Sequence, residues 1–281
     1  MPELSWLAAV TRLRARREPG VLVTLASVSG HAPRAAGAKM VVGAEGSWGS
    51  IGGGNLEAVA IDRARELLAS GAAATELVQV ALSDKAPYQH GVQCCGGTVG
   101  VLLEPLAVVP AVAIFGVGHV GLELARILAR HDIELHLTDT RPDRLTDERL
   151  SVLSDALAQV HVHSVALLPE IVLGELPPGT HVLIMTHDHA EDAALCDAVL
   201  RAGEFASIGL IGSAGKWARF RRMLADDGHD DDAIDRITTP IGLADVTGKE
   251  PPTIAVSVAA DLLRAFAHDR QAAGAGPETP P

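Results

Sequence analysis

Apolar residues recur along this chain in two rhythms, and the change of rhythm near its middle predicts two domains. Trp6, Val10 and Leu13 return at helical spacing behind Ser5, a candidate cap, and Pro19-Gly20 ends that element. Val21 to Val28 reads as a strand from its length and β-branched content, and Met40 to Val42, Glu76 to Leu82 and Thr98 to Glu104 read likewise. Between them Leu56, Val59, Ala60, Ala64, Leu67 and Leu68 mark one face of a helix, with Asn55 as its expected cap and Gly71 as its stop.

A second pattern starts after Pro105 to Pro110, a short proline-bounded stretch without polar periodicity. Val112 to Phe115 is apolar throughout, as a strand covered on both faces must be. A helix with Leu122, Ala125, Leu128 and Ala129 on its apolar side follows, and then a strand from Glu134 to Thr138. Further strands fit at His181 to Met185 and Ser207 to Ile211, and further helices at Glu191 to Arg201, Lys216 to Ala225 and Thr253 to Arg270. The expectation is an α/β protein: a small N-terminal α/β domain over residues 1–104, a linker at 105–110, and a Rossmann-like doubly wound parallel sheet over 111–270. Residues 271–281 are expected to form a disordered tail.

Composition narrows the functional classes. A net charge of −12 repels phosphate backbones, and 3% aromatic residues leave few stacking platforms, so nucleic acid is not an expected partner. The longest apolar region, Val101 to Val117, is interrupted by Glu104, Pro105 and Pro110, so no membrane span is expected. Three cysteines give no disulfide framework, and the chain reads as cytoplasmic.

Two of those cysteines are adjacent, in Gln93-Cys94-Cys95-Gly96-Gly97. In an extended backbone neighbouring side chains point to opposite faces, so one thiol can face a site while the other faces a core. The glycines allow close approach of the backbone to a ligand. Gly30-His31-Ala32-Pro33-Arg34, followed by Lys39, is a basic loop leaving a strand, suited to an anion or to an ordinary surface turn. Gly52, Gly53 and Gly54 precede a helix, where exposed backbone donors and the positive end of the helix dipole favour a phosphate.

In the second half, Gly116-Val117-Gly118-His119-Val120-Gly121 sits between strand and helix, with Asp139 at the end of the next strand 18 residues past Gly121. That is the dinucleotide fingerprint: a tight turn, a pyrophosphate on a helix N-terminus and a carboxylate for a ribose hydroxyl. Arg141 would favour a phosphorylated ribose instead, so NAD(P) or another nucleotide fits this half. Thr186-His187-Asp188-His189 lies at the carboxyl end of a strand, where such sheets place ligands. No zinc-type spacing is present there, so helix capping by Asp188 is the expected role, with His187 or Asp188 facing a cleft.

The conjunction of Gly30 to Arg34, Gly37 to Met40, Gly49 to Glu57, Gln93 to Gly97, Thr186 to His189 and Gly209 to Ser213 resembles the XdhC/CoxF family of xanthine dehydrogenase accessory proteins. The resemblance implies a non-enzymatic chaperone, often dimeric, that binds molybdenum cofactor (molybdopterin) and delivers it in sulfurated form to a xanthine dehydrogenase-type molybdenum hydroxylase. A cysteine desulfurase that supplies the sulfur is the second implied partner. On this reading Cys94 or Cys95 contacts the molybdenum, beside Gln93, and Gly52 to Gly54 or the Arg34 and Lys39 loop holds the anionic end. Gly116, Gly118, Gly121, Asp139, His187 and Asp188 line the second candidate cleft. Two rivals use that cleft alone: an NAD(P)-dependent oxidoreductase with His119 or His187 as its acid-base group, and a nucleotide-sensing protein.

Overall fold

In a computed structural model that describes residues 5–82, 97–165 and 168–272, the chain divides into two units, residues 1–108 with 267–281 and residues 109–266. The first opens with α1 (Trp6–Ala15), whose N-terminus is capped by the Ser5 hydroxyl accepting from the Ala8 N–H. Strands β1 (Gly20–Ser29), β2 (Lys39–Gly43) and β3 (Ser47–Gly49) lead into α2 (Gly54–Ser70), and β4 (Glu76–Ala81) and β5 (Thr98–Leu106) complete the unit.

These strands form an antiparallel sheet in the order β3-β2-β1-β5-β4. Alternation decides its faces: Val21, Val23 and Leu25 of β1 join Leu56, Ala60, Ala64 and Leu67 of α2 in one core. Val41 and Leu22 instead turn to Ala9 and Leu13 of α1 and to Trp48. The sheet therefore has a helix on each face. α2 begins at Gly54 with Gly53 as N-cap, so Asn55 is not the cap the sequence predicts, whereas Gly71 ends the helix in the left-handed conformation as expected.

The second unit holds β6 (Ala111–Phe115), α3 (His119–Leu128), β7 (Glu134–Asp139), α4 (Asp147–Leu150), β8 (Gln159–Ser164) and β9 (His181–Ile184). They are followed by α5 (His189–Ala202), β10 (Ser207–Leu210), α6 (Ala214–Asp226), α7 (Asp231–Ile234), β11 (Ile237–Thr238) and α8 (Pro251–Ala272), of which residues 251–266 belong to this unit. All six strands run parallel in the order β8-β7-β6-β9-β10-β11, so the chain winds out from β6 in both directions. That is the Rossmann order.

Both faces of β6 are buried, which is why its five residues are all apolar. Val112 and Ile114 pack with Leu124 and Leu128 of α3 and Ala255, Val258 and Leu262 of α8. Ala113 and Phe115 pack with Leu195 and Val199 of α5 and Phe220 and Leu224 of α6. Because β6 adjoins both β7 and β9, its carboxyl end marks the place where the winding reverses.

Glycine at that end is sterically required. Gly116 has φ of +105°, and a Cβ there would stand 2.3 Å from the Met185 carbonyl oxygen. A Cβ on Gly121 would stand 2.1 Å from the Gly116 carbonyl oxygen, so α3 can lie this close to β6 only without one. At Gly118 the nearest heavy atom would be 4.0 Å away, in the Arg141 guanidinium. Gly121→Ala is therefore expected to destabilise the protein by about 3 kcal/mol, and Gly118→Ala by less than about 0.5 kcal/mol. Urea unfolding of the two variants beside wild type checks the contrast.

Candidate functional site

In the first unit, three glycine-bearing segments far apart in sequence meet at one end of the sheet. The loop after β1 crosses the triple glycine, with Pro33 so close that a Cβ on Gly52 would stand 2.6 Å from its ring, and 3.5 Å from the Arg34 side chain. Gly97 lies against the same loop: a Cβ there would be 2.4 Å from the His31 carbonyl oxygen and 2.7 Å from that of Ser29. The Leu82 N–H donates to the Gly97 carbonyl at 2.8 Å, which closes the base of the β4–β5 connection. Gln93, Cys94, Cys95 and Gly96, which immediately precede Gly97 in sequence, lie outside the described residues.

Arg34 is exposed at this end of the sheet. Lys39 is not free in the same way: it donates to the Thr24 hydroxyl at 2.8 Å and its ammonium sits 5.9 Å from the centre of the Trp6 ring. The triple glycine already serves an anion of its own. Glu57, in the first turn of α2, accepts from the Gly53 N–H at 2.7 Å, the Gly52 N–H at 3.3 Å and the Ser50 hydroxyl at 2.5 Å. The sequence reading missed Glu57, although an acid in the first turn of a helix is the signal for it. Asn55 carries a buried Oδ1 with no hydrogen-bond partner beside these glycines.

The second unit gathers its candidates at the carboxyl ends of β6, β7 and β9. Asp139 is buried and fully engaged: one oxygen accepts from the Val117 N–H at 2.8 Å and from Arg141 at 2.9 Å, the other from the Arg141 N–H at 3.0 Å and its Nε at 2.9 Å. Burial acts to raise its pKa, but the Arg141 guanidinium and the two backbone donors outweigh it and hold the carboxyl below the ordinary range. A second arginine, Arg149, donates to the Val117 and Gly118 carbonyls at 3.3 Å each. The glycine turn is thus flanked by two guanidinium groups, and the α3 N-terminus above Gly118 has no side-chain cap.

Thr140 continues the network by donating to Glu191 at 3.0 Å, and the His187 imidazole lies 4.0 Å from the same carboxylate. Burial pushes Glu191 upward from its ordinary value despite the Thr140 hydrogen bond. Asp188 is occupied as the cap of α5, accepting from the Ala190 and Glu191 N–H groups. His119 is exposed at the start of α3. Behind these residues Asp192, fully buried, accepts from the Thr186 N–H and hydroxyl and pairs with Lys216, which also donates to the Ile211 carbonyl at 2.9 Å. Cys196 is buried beside them, and desolvation pushes its thiol up to about 12, so it is no thiolate at neutral pH.

Residues 112–262 match the XdhC Rossmann domain, and residues 13–80 match the XdhC and CoxI family. The chain belongs to the XdhC family. Among curated relatives, this XdhC-family chain is 26% identical over 264 residues to the uncharacterized protein YqeB of Escherichia coli (strain K12). That alignment takes in 90% of this chain and 44% of the relative, so the chain spans less than half of YqeB. A crystal structure described as a xanthine dehydrogenase from Bacillus halodurans aligns over 94% of this chain and 96% of that one, with 19% identity and a TM-score of 0.47. No described helix is long and apolar enough to cross a membrane.

Two measurements follow from the carboxylates. Asp139 has a folded pKa below its ordinary value of 3.8, so its stabilisation is fully present above that pH and is lost as the pH falls from there through the lower folded value. The stability gap between wild type and Asp139→Asn should be open at pH 7 and narrow below pH 3.8, as read by denaturant titrations across pH. Lys216→Met leaves the Asp192 carboxylate buried without its cation and should cost about 3–5 kcal/mol. Adding Asp192→Asn, which keeps an acceptor for Thr186, should restore part of the loss in the same assay.

Proposed function

We propose that this chain is an accessory protein for a xanthine dehydrogenase-type molybdenum hydroxylase, one that holds molybdopterin cofactor and passes it on in sulfurated form. The observation that carries the proposal is the convergence in the first unit of the Arg34 loop, the Gly52 turn and Gly97, the residue that closes the Gln93 to Gly97 motif. Neither a nucleotide sensor nor an oxidoreductase needs that convergence. Family membership supports the same reading.

The described residues fit such a cargo in outline. When bound, the cofactor would supply a molybdenum atom, a soft dithiolene and a phosphate. Arg34 offers an exposed guanidinium for the anionic end, and Gly53, with open space where a side chain would stand, lets the backbone come close. The Asn55 Oδ1 is a buried acceptor awaiting a donor. Cys196 is excluded as the thiolate by its burial, which leaves Cys94 or Cys95 for the metal contact. A cysteine desulfurase as sulfur donor, a homodimer and a cytoplasmic setting belong to the same proposal.

A nucleotide in the second unit is the alternative reading, and the Rossmann order with its glycine turn favours it. Against a ribose diol stands the state of Asp139, whose oxygens are already taken by Val117 and Arg141. The turn and its two arginines suit a phosphate better than a sugar.

Purification from two hosts, one able and one unable to make molybdopterin, tests the proposal. Near-stoichiometric pterin and molybdenum are expected from the competent host alone, transferable to an apo molybdenum hydroxylase. Arg34→Glu should lower the retained pterin about tenfold, and replacing Cys94 and Cys95 together with serine should abolish retained molybdenum. Absence of pterin after anaerobic handling and an offer of free cofactor would overturn the reading. Tight binding of a nucleotide in its place would establish the alternative.

A further inference from the structure

β8 carries histidines at alternate positions, and its parallel register sets His161 beside His136 of β7. His136, His161 and His163 therefore share one face of the sheet with Glu134, while Val160 faces the α3 and α8 core. This cluster is remote from the glycine turn: Glu134 opens β7 and Asp139 closes it, about 16 Å along the strand. Nothing in the proposed cofactor site uses these residues.

The geometry of the cluster is specific. The His136 Nδ1 and His163 Nε2 are 3.1 Å apart, and the His163 Nδ1 is 3.6 Å from Glu175. The His136 Nε2 lies 3.9 Å from the Glu134 carboxylate, and the His136 and His161 rings stack with centroids 4.6 Å apart at 14°. One ligand atom each from Glu134, His136 and His161 falls within 4.8 Å of the other two. The His161 Nε2 is buried and meets no hydrogen-bond partner.

We propose that Glu134, His136 and His161 bind one divalent transition-metal ion of the zinc class. Two imidazoles and a carboxylate form a borderline donor set, which selects first-row transition ions over magnesium and calcium. His163 and Glu175 continue the chain behind His136. A carboxylate-histidine pair hydrogen-bonded to Nδ1 fixes the ligand tautomer that leaves Nε2 as the lone pair. Zinc–nitrogen bonds of about 2.0–2.1 Å require the three donors to draw closer than they stand here. Stacked rings aim their lone pairs side by side, so rotation of the His161 ring about its own axis is the movement binding demands. Among the described residues β8 is the edge strand of its sheet. Three protein ligands leave a fourth position for solvent or an exogenous donor.

The test uses untagged full-length protein stripped with a chelator and titrated with cobalt(II), read by its visible ligand-field bands, and then challenged with zinc(II). One cobalt per chain is expected, with no strong near-ultraviolet thiolate-to-metal band, and with displacement by zinc. Glu134→Gln and His161→Ala should each weaken cobalt binding tenfold or more, and His163→Gln by about tenfold, through loss of orientation. Far-ultraviolet circular dichroism shows whether each variant is folded. Glu134→Gln keeps the shape of its side chain, and its result stands if His161→Ala does not fold. No stoichiometric cobalt, unchanged binding in folded Glu134→Gln, or a thiolate band that disappears with Cys94→Ser and Cys95→Ser would each overturn the proposal.

Discussion

A carboxylate taken out of water has to find donors, and the carboxyl edge of the second sheet is built around two that did. Asp139 fastens the end of β7 to the turn after β6 through the Val117 N–H. Asp192 fastens α5 to the end of β9 through the Thr186 N–H, and its partner Lys216 reaches the Ile211 carbonyl beyond β10. Strand ends that would otherwise expose backbone donors are thereby tied together in sequence across the sheet. The cost of burying each charge is offset only because every oxygen is hydrogen-bonded, which makes this edge stiff and the glycine turn fixed in place.

That stiffness shapes what the turn can offer a ligand. In the dinucleotide fingerprint the acid at the end of the second strand is available to a sugar. Here Arg141 has claimed it, and the group presented outward is a guanidinium and not a carboxylate. The same motif can therefore keep its fold while changing the charge it shows. Buried Cys196 makes the same point for thiols: its burial and its neighbours, not its residue type, keep it a protonated thiol at neutral pH.

Much of the fold could be read from residue spacing because the long elements are consistent at every level. β6 is apolar because both faces are covered, and Ser5 and Asp188 cap helices as their side chains suggest. The failures have local causes. β8 alternates valine with histidine, and histidine gives no clear polar signal, so neither the strand nor its cluster was legible. β3 is three residues long and ends in glycine. Pro105 suggested a linker, yet it lies in β5 opposite Val21; β4 stops at the Glu76–Leu103 pair, so no described strand there requires the donor that proline lacks. For the first site, residue spacing named the glycines and Arg34 but not Glu57, because an acid in a first helical turn serves the helix dipole whether its side chain meets solvent or folds back onto the preceding N–H groups.

Glu57 has a further meaning if Gly52 and Gly53 are to receive an anion. The glycine N–H groups are held by a carboxylate on the same chain, a tethered competitor present at an effective concentration of roughly millimolar or more. An incoming phosphate would bind only by exchange, and it would leave as readily, since the turn closes over its own carboxylate without waiting for solvent. Such a turn would trade grip for turnover, the compromise that the proposed carrier role asks for.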